Sequence, residues 1–271
     1  MRYRAQNWIH QLRNEDQPTR KWGSDMGRIS VALYLSNHSN FQENRTIRDE
    51  ISYELNLDLL SKLALTELAY YINAFLVTCI DPRKFHVLDL VSELRKRVDA
   101  QNYTNPSAML ALCNAGERIT ERDVEKLINV FWKAYREFWT VTQALAVLAL
   151  ACAAKQPHEV FDMDEITELT MELKKRQYQN GTVENLKTTA LVLQALFASE
   201  KETDEENFEE EKALRQILRS QKENGSFGNL LNTYYVLPVL GYRSLVNISS
   251  SHCKAPVIHG NSMIICFFPA P

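Results

Sequence analysis

The sequence predicts an all-α protein, an α6/α6 toroid in which six helical hairpins close into a double ring. Three observations predict it. Apolar positions recur at helical rather than strand spacing along the 271 residues. The helical segments come in pairs, the first amphipathic and the second nearly all apolar, as in VSELRKRVDA beside PSAMLALCNA. One unit is also spelled twice: KKRQYQNGTVENLKTTALVLQAL, residues 174–196, returns as ALRQILRSQKENGSFGNLLNTYYVLPVLG, residues 213–241. Each copy is a charged helix, an Asn-Gly turn and an Asn that opens an apolar helix.

In chain order the helical segments fall at 3–14 and 27–38, 46–61 and 63–80, 86–99 and 105–115, 121–135 and 140–154, 163–178 and 186–199, and 208–222 and 230–241. The apolar members begin about 35 to 47 residues apart. Local signals support the boundaries. Pro106 suits a first helical turn, and Asp162 is placed to cap the fifth outer helix. The charged helix that opens the first repeat is expected to end at Tyr178 to Gln179, with Asn180-Gly181 supplying left-handed residues; Asn224-Gly225 repeats the device. The acidic run 202–211 reads as a solvated linker and the negative first turn of the last outer helix. Six apolar helices can form an inner ring inside six amphipathic ones. An open solenoid would need atypical end repeats, and the first and last pairs resemble the middle ones.

Composition narrows the function. An apolar content of 45% supports a sizeable core, while a net charge of −3 and a pI near 6.1 without a basic cluster argue against a nucleic-acid partner. No apolar run is long enough to span a membrane, and MRYRAQNWIHQLRNE lacks the apolar core of a signal peptide. Six glycosylation sequons, at Asn37, Asn44, Asn102, Asn180, Asn224 and Asn247, exceed the roughly two that ordinary Ser/Thr usage gives. An Asn-Gly turn followed by Ser or Thr spells a sequon for backbone reasons as well.

Catalytic chemistry finds little to rest on. FDMDEI, with Asp162, Asp164 and Glu165, resembles the acidic clusters of terpenoid cyclases, enzymes of the same toroid class, but at a helix start these residues cap N–H groups. The six His residues are scattered, with no HExxH, no CxxC and no His/Cys pairing at ligand spacing, so neither a metal site nor an enzyme is expected. A binding protein needs only a concave site and a few directed polar groups. In a closed ring the inner helices aim their N-termini, with free N–H groups and partial positive charge, at one face. The candidate ligand contacts there are Glu67, Thr140, Thr142, Gln143, Asn185, Thr188, Asn229, Asn232 and Tyr235. Asn185 and Asn229 equally suit helix caps.

Five segments carry a family resemblance: LVTCIDPRKF, PSAMLALCNA, TQALAVLALAC, QNGTVENLKTTALVLQAL and GNLLNTYYVLPVLGYRSL with SSHC after it. Their order, spacing and four cysteines resemble the helical domain of the eukaryotic cobalamin-transport proteins, intrinsic factor, transcobalamin and haptocorrin, over nearly all of residues 1–253. The resemblance implies a secreted carrier that binds cobalamin or a related corrinoid as transported ligand, uses no cofactor, meets a cell-surface receptor and is a monomer. It pairs Cys113 with Cys152 and Cys79 with Cys253, leaving Cys266 over. Such bonds imply an extracellular setting, with the signal peptide not in this chain.

The same resemblance places Asn185 at a ligand-binding Asn, sets Thr142 beside a position where the family has Asp and this chain has Val141, and puts Glu67 and Tyr235 where the family uses Gln. Gln143 and Asn229 complete the expected ligand set. The family's following β domain is not spelled in 254–271, which reads as a short irregular tail. A second reading is therefore a non-enzymatic interaction protein that keeps the toroid and has lost corrinoid binding.

Overall fold

The computed structural model describes residues 1–15, 25–36, 49, 62–133, 139–157, 163–199 and 208–253. Among them run eleven α-helices and no strand. They are α1 (Arg2–Glu15), α2 (Met26–Leu35), α3 (Leu65–Val77), α4 (Leu90–Ala100), α5 (Pro106–Asn114), α6 (Glu121–Lys133), α7 (Thr140–Ala153), α8 (Met163–Lys174), α9 (Leu186–Ala198), α10 (Glu210–Arg219) and α11 (Leu230–Val239), followed by a 3-10 turn at Leu245–Asn247. The helix expected over 46–61, the cap at Asp162, and the tail 254–271 with Cys266 lie outside the described residues, Asp49 excepted.

Burial separates two sets of helices. In α7, TVTQALAVLALACA, twelve of fourteen residues are buried, whereas in α10, EEKALRQILR, only Ala213 and Ile217 are. The apolar helices α2, α3, α5, α7, α9 and α11 each pack on the next, and α11 packs back on α2. That last contact closes the ring and excludes an open solenoid. Outside it, α4 lies on α3 and α5, α6 on α7, α8 on α7 and α9, α10 on α9, and α1 on α11. The fold is an α/α toroid, as the alternation of apolar and amphipathic segments requires.

The repeated turn shows how each hairpin locks onto the next. Gly181 N–H donates to the Tyr178 carbonyl and Tyr178 N–H to the Thr182 carbonyl, both at 2.8 Å; Gly225 and Lys222 repeat this with Lys222 and Ser226 at 2.9 and 2.8 Å. Gln177 spans the turn and the start of α10, its amide donating to the Gly181 and Glu209 carbonyls and its oxygen accepting from Glu209 N–H. Gln221 repeats the two donations in the last hairpin, to the Gly225 and Met1 carbonyls, while its Oε1 accepts nothing among the described residues. A β-carbon on Gly181 would lie 2.7 Å from the Lys212 carbonyl carbon, and one on Gly225 would lie 2.8 Å from that of Arg4. The sixth hairpin thus meets the first helix through the same contact by which the fifth meets α10.

These bonds also explain where the expected boundaries shift. The first outer helix of the repeat ends at Lys174, not at Tyr178 to Gln179, because Gln177 and Tyr178 are committed to the turn. Of the Asn-Gly pair only Gly181 is left-handed, at φ +91°; Asn180 instead accepts from Thr182 N–H and Oγ1 as an Asx turn. The helix expected from residue 86 begins at Leu90, where Asp89 accepts from Ser92 N–H at 2.9 Å.

Two disulfides are present. Cys113 and Cys152 join the C-terminal ends of neighbouring α5 and α7 with a Cα separation of 6.2 Å. Cys79, just past α3, is joined to Cys253 at 5.5 Å across 174 residues. Beside them the chain after α11 crosses the C-terminal end of the ring and packs on α5 and α7. Leu245 N–H donates to Gln194 Oε1, Asn114 Nδ2 donates to the Leu245 carbonyl, and Leu245 and Ile248 are buried. That end of the inner ring is stoppered.

Candidate functional site

The parallel inner helices bring their N-termini to the opposite face, and their capping residues are held there by local chemistry. Asn105, Asn185 and Asn229 each stand before an inner helix and accept from the N–H three residues on, Ala108, Thr188 and Asn232, at 3.1, 3.0 and 2.8 Å. Glu67 returns its carboxylate to Ala64 N–H at 3.0 Å at the start of α3. Asn185 Oδ1 is fully used, since Thr188 Oγ1 also donates to it, and its Nδ2 makes no bond among the described residues. The three Asn caps use the amide oxygen as acceptor, and Asn185 and Asn229 are exposed.

The fold gathers the expected contacts unevenly. Glu67, Asn185 and Asn229 are exposed on this face, and Thr142 is half-buried in the first turn of α7. Gln143 and Tyr235 are buried. Gln143 Nε2 donates to the Phe131 carbonyl of α6 at 2.9 Å, so this side chain reaches the outer ring, and its Oε1 is buried with no partner among the described residues. Thr140 and Thr188 are buried as well, and Asn232 turns back to the Phe227 carbonyl.

Tyr235 belongs to a cluster on the ring axis. Tyr70 of α3 and Tyr234 of α11 meet edge to face, centroids 6.2 Å apart, although α2 lies between those helices in the ring. Side chains of second neighbours in a six-membered ring meet only when they point inward. Tyr234 packs on Tyr235 at 4.7 Å, and Arg28 of α2 lies 4.5 Å from the Tyr70 ring centre while Nη1 holds Asp25 at 2.8 Å. Burial, and then Tyr70, push the Tyr234 and Tyr235 phenols above their ordinary value of 10.0, with Arg28 opposing. Both phenols are therefore neutral at physiological pH. The N-terminal half of the inner ring thus holds an aromatic cluster with the Arg28 guanidinium against it.

Among the partners and neighbours of the expected residues, Glu184 and Arg176 were not singled out from the sequence. Thr140 Oγ1 donates to Glu184 and accepts from Arg176 Nη1 at 3.0 Å, which ties the start of α7 to the turn before α9. Glu184 takes a left-handed backbone, φ +53°, at the place in the repeat where the next copy has Gly228 at +97°. Aligning GTVEN with GSFGN would have marked the position as conformationally special. Tyr103, Trp139 and Leu231, each within a few residues of an inner-helix start, are exposed apolar side chains on the rim. Elsewhere Cys79, His252 and Cys253 bring three ligand-type atoms within 4.8 Å of one another, a His/Cys grouping that the sequence spacing did not show. The two sulfurs are joined, so neither is a thiolate able to hold a metal.

A closed helical ring, stoppered at one end and presenting helix N-termini, exposed amides and aromatic groups at the other, defines a binding scaffold. Residues 6–261 match the family described as eukaryotic cobalamin-binding protein, and the chain belongs to that family. It is 27% identical over 219 residues to transcobalamin-2 of Homo sapiens, covering 73% of this chain and 51% of that protein. It is 25% identical over 212 residues to the uncharacterized protein CG3556 of Drosophila melanogaster, covering 71% of this chain and 35% of that one. The chain therefore spans about a third to a half of these relatives. A crystal structure of haptocorrin in complex with Cbi superposes with a TM-score of 0.71 at 21% identity, covering 92% of this chain and 68% of that one, and shares the fold. No described helix is long and apolar enough to cross a membrane.

Proposed function

We propose that this chain is the helical corrinoid-binding part of a secreted carrier, and that its ligand docks on the N-terminal face of the inner ring. One observation carries the reading: the closed ring collects Glu67, Thr142, Asn185 and Asn229 on a single face, above an aromatic axis. A corrinoid is a broad, amide-fringed disc, suited to outward amide groups and exposed rings such as Tyr103 and Trp139. Family membership supports the ligand class, and the two disulfides support an oxidising, extracellular setting. Turnover is not part of this reading.

Titration with cyanocobalamin, followed by its visible absorption, tests the proposal. Saturable binding that weakens in Asn185→Asp and Thr142→Ala supports it. No spectral change up to roughly 0.1 mM ligand, an affinity too weak for a carrier, sinks it. A second reading, an interaction protein without corrinoid affinity, is favoured by two placements: Gln143 is spent on α6 and Tyr235 on the aromatic cluster. Val141, at the position where the resemblance expects Asp, has no hydrogen-bonding side chain. A protein partner captured on this face by a chain indifferent to corrinoids selects that reading.

A further inference from the structure

The stoppered end of the ring holds chemistry that ligand binding does not use. Cys79 follows α3 in a left-handed conformation, φ +62°, with Ile80 N–H donating to the Phe75 carbonyl at 2.9 Å. This is the helix-terminating turn that usually takes glycine, and Gly116 fills it after α5. In that turn Cys79 is exposed beyond the helix end. Its disulfide to Cys253 borders a cleft of about 400 Å³ with Leu76, Ile80, Asp81 and Ser250 on its walls. His252 Nε2 stands 3.7 Å from each sulfur and 3.1 Å from the Val77 carbonyl oxygen. A carbonyl only accepts, so Nε2 carries a proton; that N–H donates to the Val77 carbonyl and lies close enough to swing onto a sulfur that develops negative charge. The imidazole packs on Tyr34, ring centres 4.6 Å apart.

The other disulfide has a different setting. Cys113 and Cys152 are only 6% and 8% exposed, and the side-chain donor beside Cys113 is the neutral amide of Gln156 at 3.7 Å. An attacking thiolate must shed its water to reach them. Exchange rates depend on access to the attacked sulfur and on stabilisation of the departing one, and Cys79–Cys253 offers both.

We propose that Cys79–Cys253 is an exchange site for low-molecular-weight thiols, with the cleft as entry and His252 as the group that stabilises the departing sulfur. A thiol loses its proton to solvent, and its thiolate attacks Cys79 Sγ. The S–S bond breaks, its electron pair leaves on Cys253 Sγ under the His252 N–H, and Cys253 takes a proton from solvent. The products are a mixed disulfide on Cys79 and a free thiol on Cys253. A second thiolate attacking that mixed disulfide releases the oxidised thiol and leaves Cys79 reduced. The ring stays closed, because α11 still packs on α2, and Gln194 and Asn114 still hold Leu245 across its end. What opens is the clasp between residues 250–253 and the end of α3.

Incubating the chain with reduced glutathione under native conditions, quenching with an alkylating agent and mapping peptides by mass spectrometry tests this. The expected result is glutathione on Cys79, alkylated Cys253 and an intact Cys113–Cys152 bond. His252→Ala should slow the adduct roughly tenfold, the effect of losing a hydrogen bond to a charged group, and His252→Gln, which keeps an N–H donor, should recover part of the rate. Circular dichroism confirms that each variant is folded. Opening of Cys113–Cys152 first or at an equal rate overturns the proposal in the unaltered chain, independently of any variant. Equal rates in folded His252→Ala and the parent chain also overturn it, as does the absence of any adduct.

Discussion

Gly225, in the last hairpin, abuts the carbonyl of Arg4, in the first helix, so tightly that a β-carbon would come within 2.8 Å of the carbonyl carbon. Gly181 meets Lys212 of the next outer helix in the same way, at 2.7 Å. The ring therefore closes through a contact that the fold already uses between consecutive hairpins. Gly116 separates backbone strain from this steric demand, since it is left-handed at φ +72° with nothing within 4 Å of a β-carbon. Gly116→Ala should cost about 1 kcal/mol, the strain of a left-handed alanine. Gly181→Ala and Gly225→Ala should cost about 2 to 4 kcal/mol, because backbone must also move. Urea unfolding of the three variants checks the order, and a Gly225→Ala as mild as Gly116→Ala would show that the seam is loose.

Joining the ends of α5 and α7, the Cys113–Cys152 bond closes a loop with a sequence separation of 39. Restricting the unfolded chain this way stabilises by about 4 kcal/mol on the loop-entropy account. The Cys113→Ala, Cys152→Ala double variant should lose up to that amount while keeping its helical content, since α5 and α7 still pack along their lengths. Calorimetric Tm and far-ultraviolet circular dichroism measured together decide it. Loss of helix at low temperature would show the bond to be needed for folding itself.

The ring was legible because its rule is local: an apolar helix after an amphipathic one, with QNGT and ENGS between them, specifies both the hairpin and its docking surface. The helix ends were less so. Tyr178 and Gln179 continue a helical pattern, and the turn bonds of Gln177 and Tyr178, with those of Gln177 to Glu209, 32 residues away, withdraw them from α8. The candidate site was half legible for the same reason. Asn185 and Asn229 announce themselves as caps, and caps of parallel inner helices must share a face. Whether Gln143 turns to the ligand face or to Phe131, and whether Tyr235 meets solvent or Tyr234, depends on neighbours distant in sequence. His252 and Cys79 met only through folding.

Asn185 serves two masters, and its substitutions separate them. Asn185→Ala removes the acceptor for Thr188 N–H and should cost about 1 kcal/mol of stability. Asn185→Asp keeps that acceptor and loses the outward Nδ2 donor, so stability should stay within a few tenths of a kcal/mol. If the amide meets the ligand, corrinoid affinity should fall roughly tenfold in the Asp variant, the worth of one directed hydrogen bond in a desolvated site. Denaturation curves and cyanocobalamin titrations on the same samples give both readouts. Unchanged affinity in Asn185→Asp would confine the residue to capping.

The axial phenols set an alkaline limit on the ring. Burial first, then the proximity of Tyr70, raises Tyr234 and Tyr235 above the ordinary 10.0, while Arg28 pulls the other way without reversing the shift. Below that ordinary value both folded and unfolded phenols are protonated, and pH does not act through them. As pH rises past about 10 the unfolded phenols ionise while the folded ones stay neutral, so the unfolded state is lowered in free energy and stability falls as pH climbs toward the raised folded value. The midpoint of urea unfolding should decline above that point. Lysines and exposed tyrosines titrate in the same window, so the informative quantity is the difference from Tyr234→Phe, which keeps the ring in its edge-to-face contact with Tyr70 and removes the ionising group. The variant should lose less stability with pH than the parent chain. Parallel declines would mean that Tyr234 reaches water in the folded ring, and that the axis is open deeper than Tyr70.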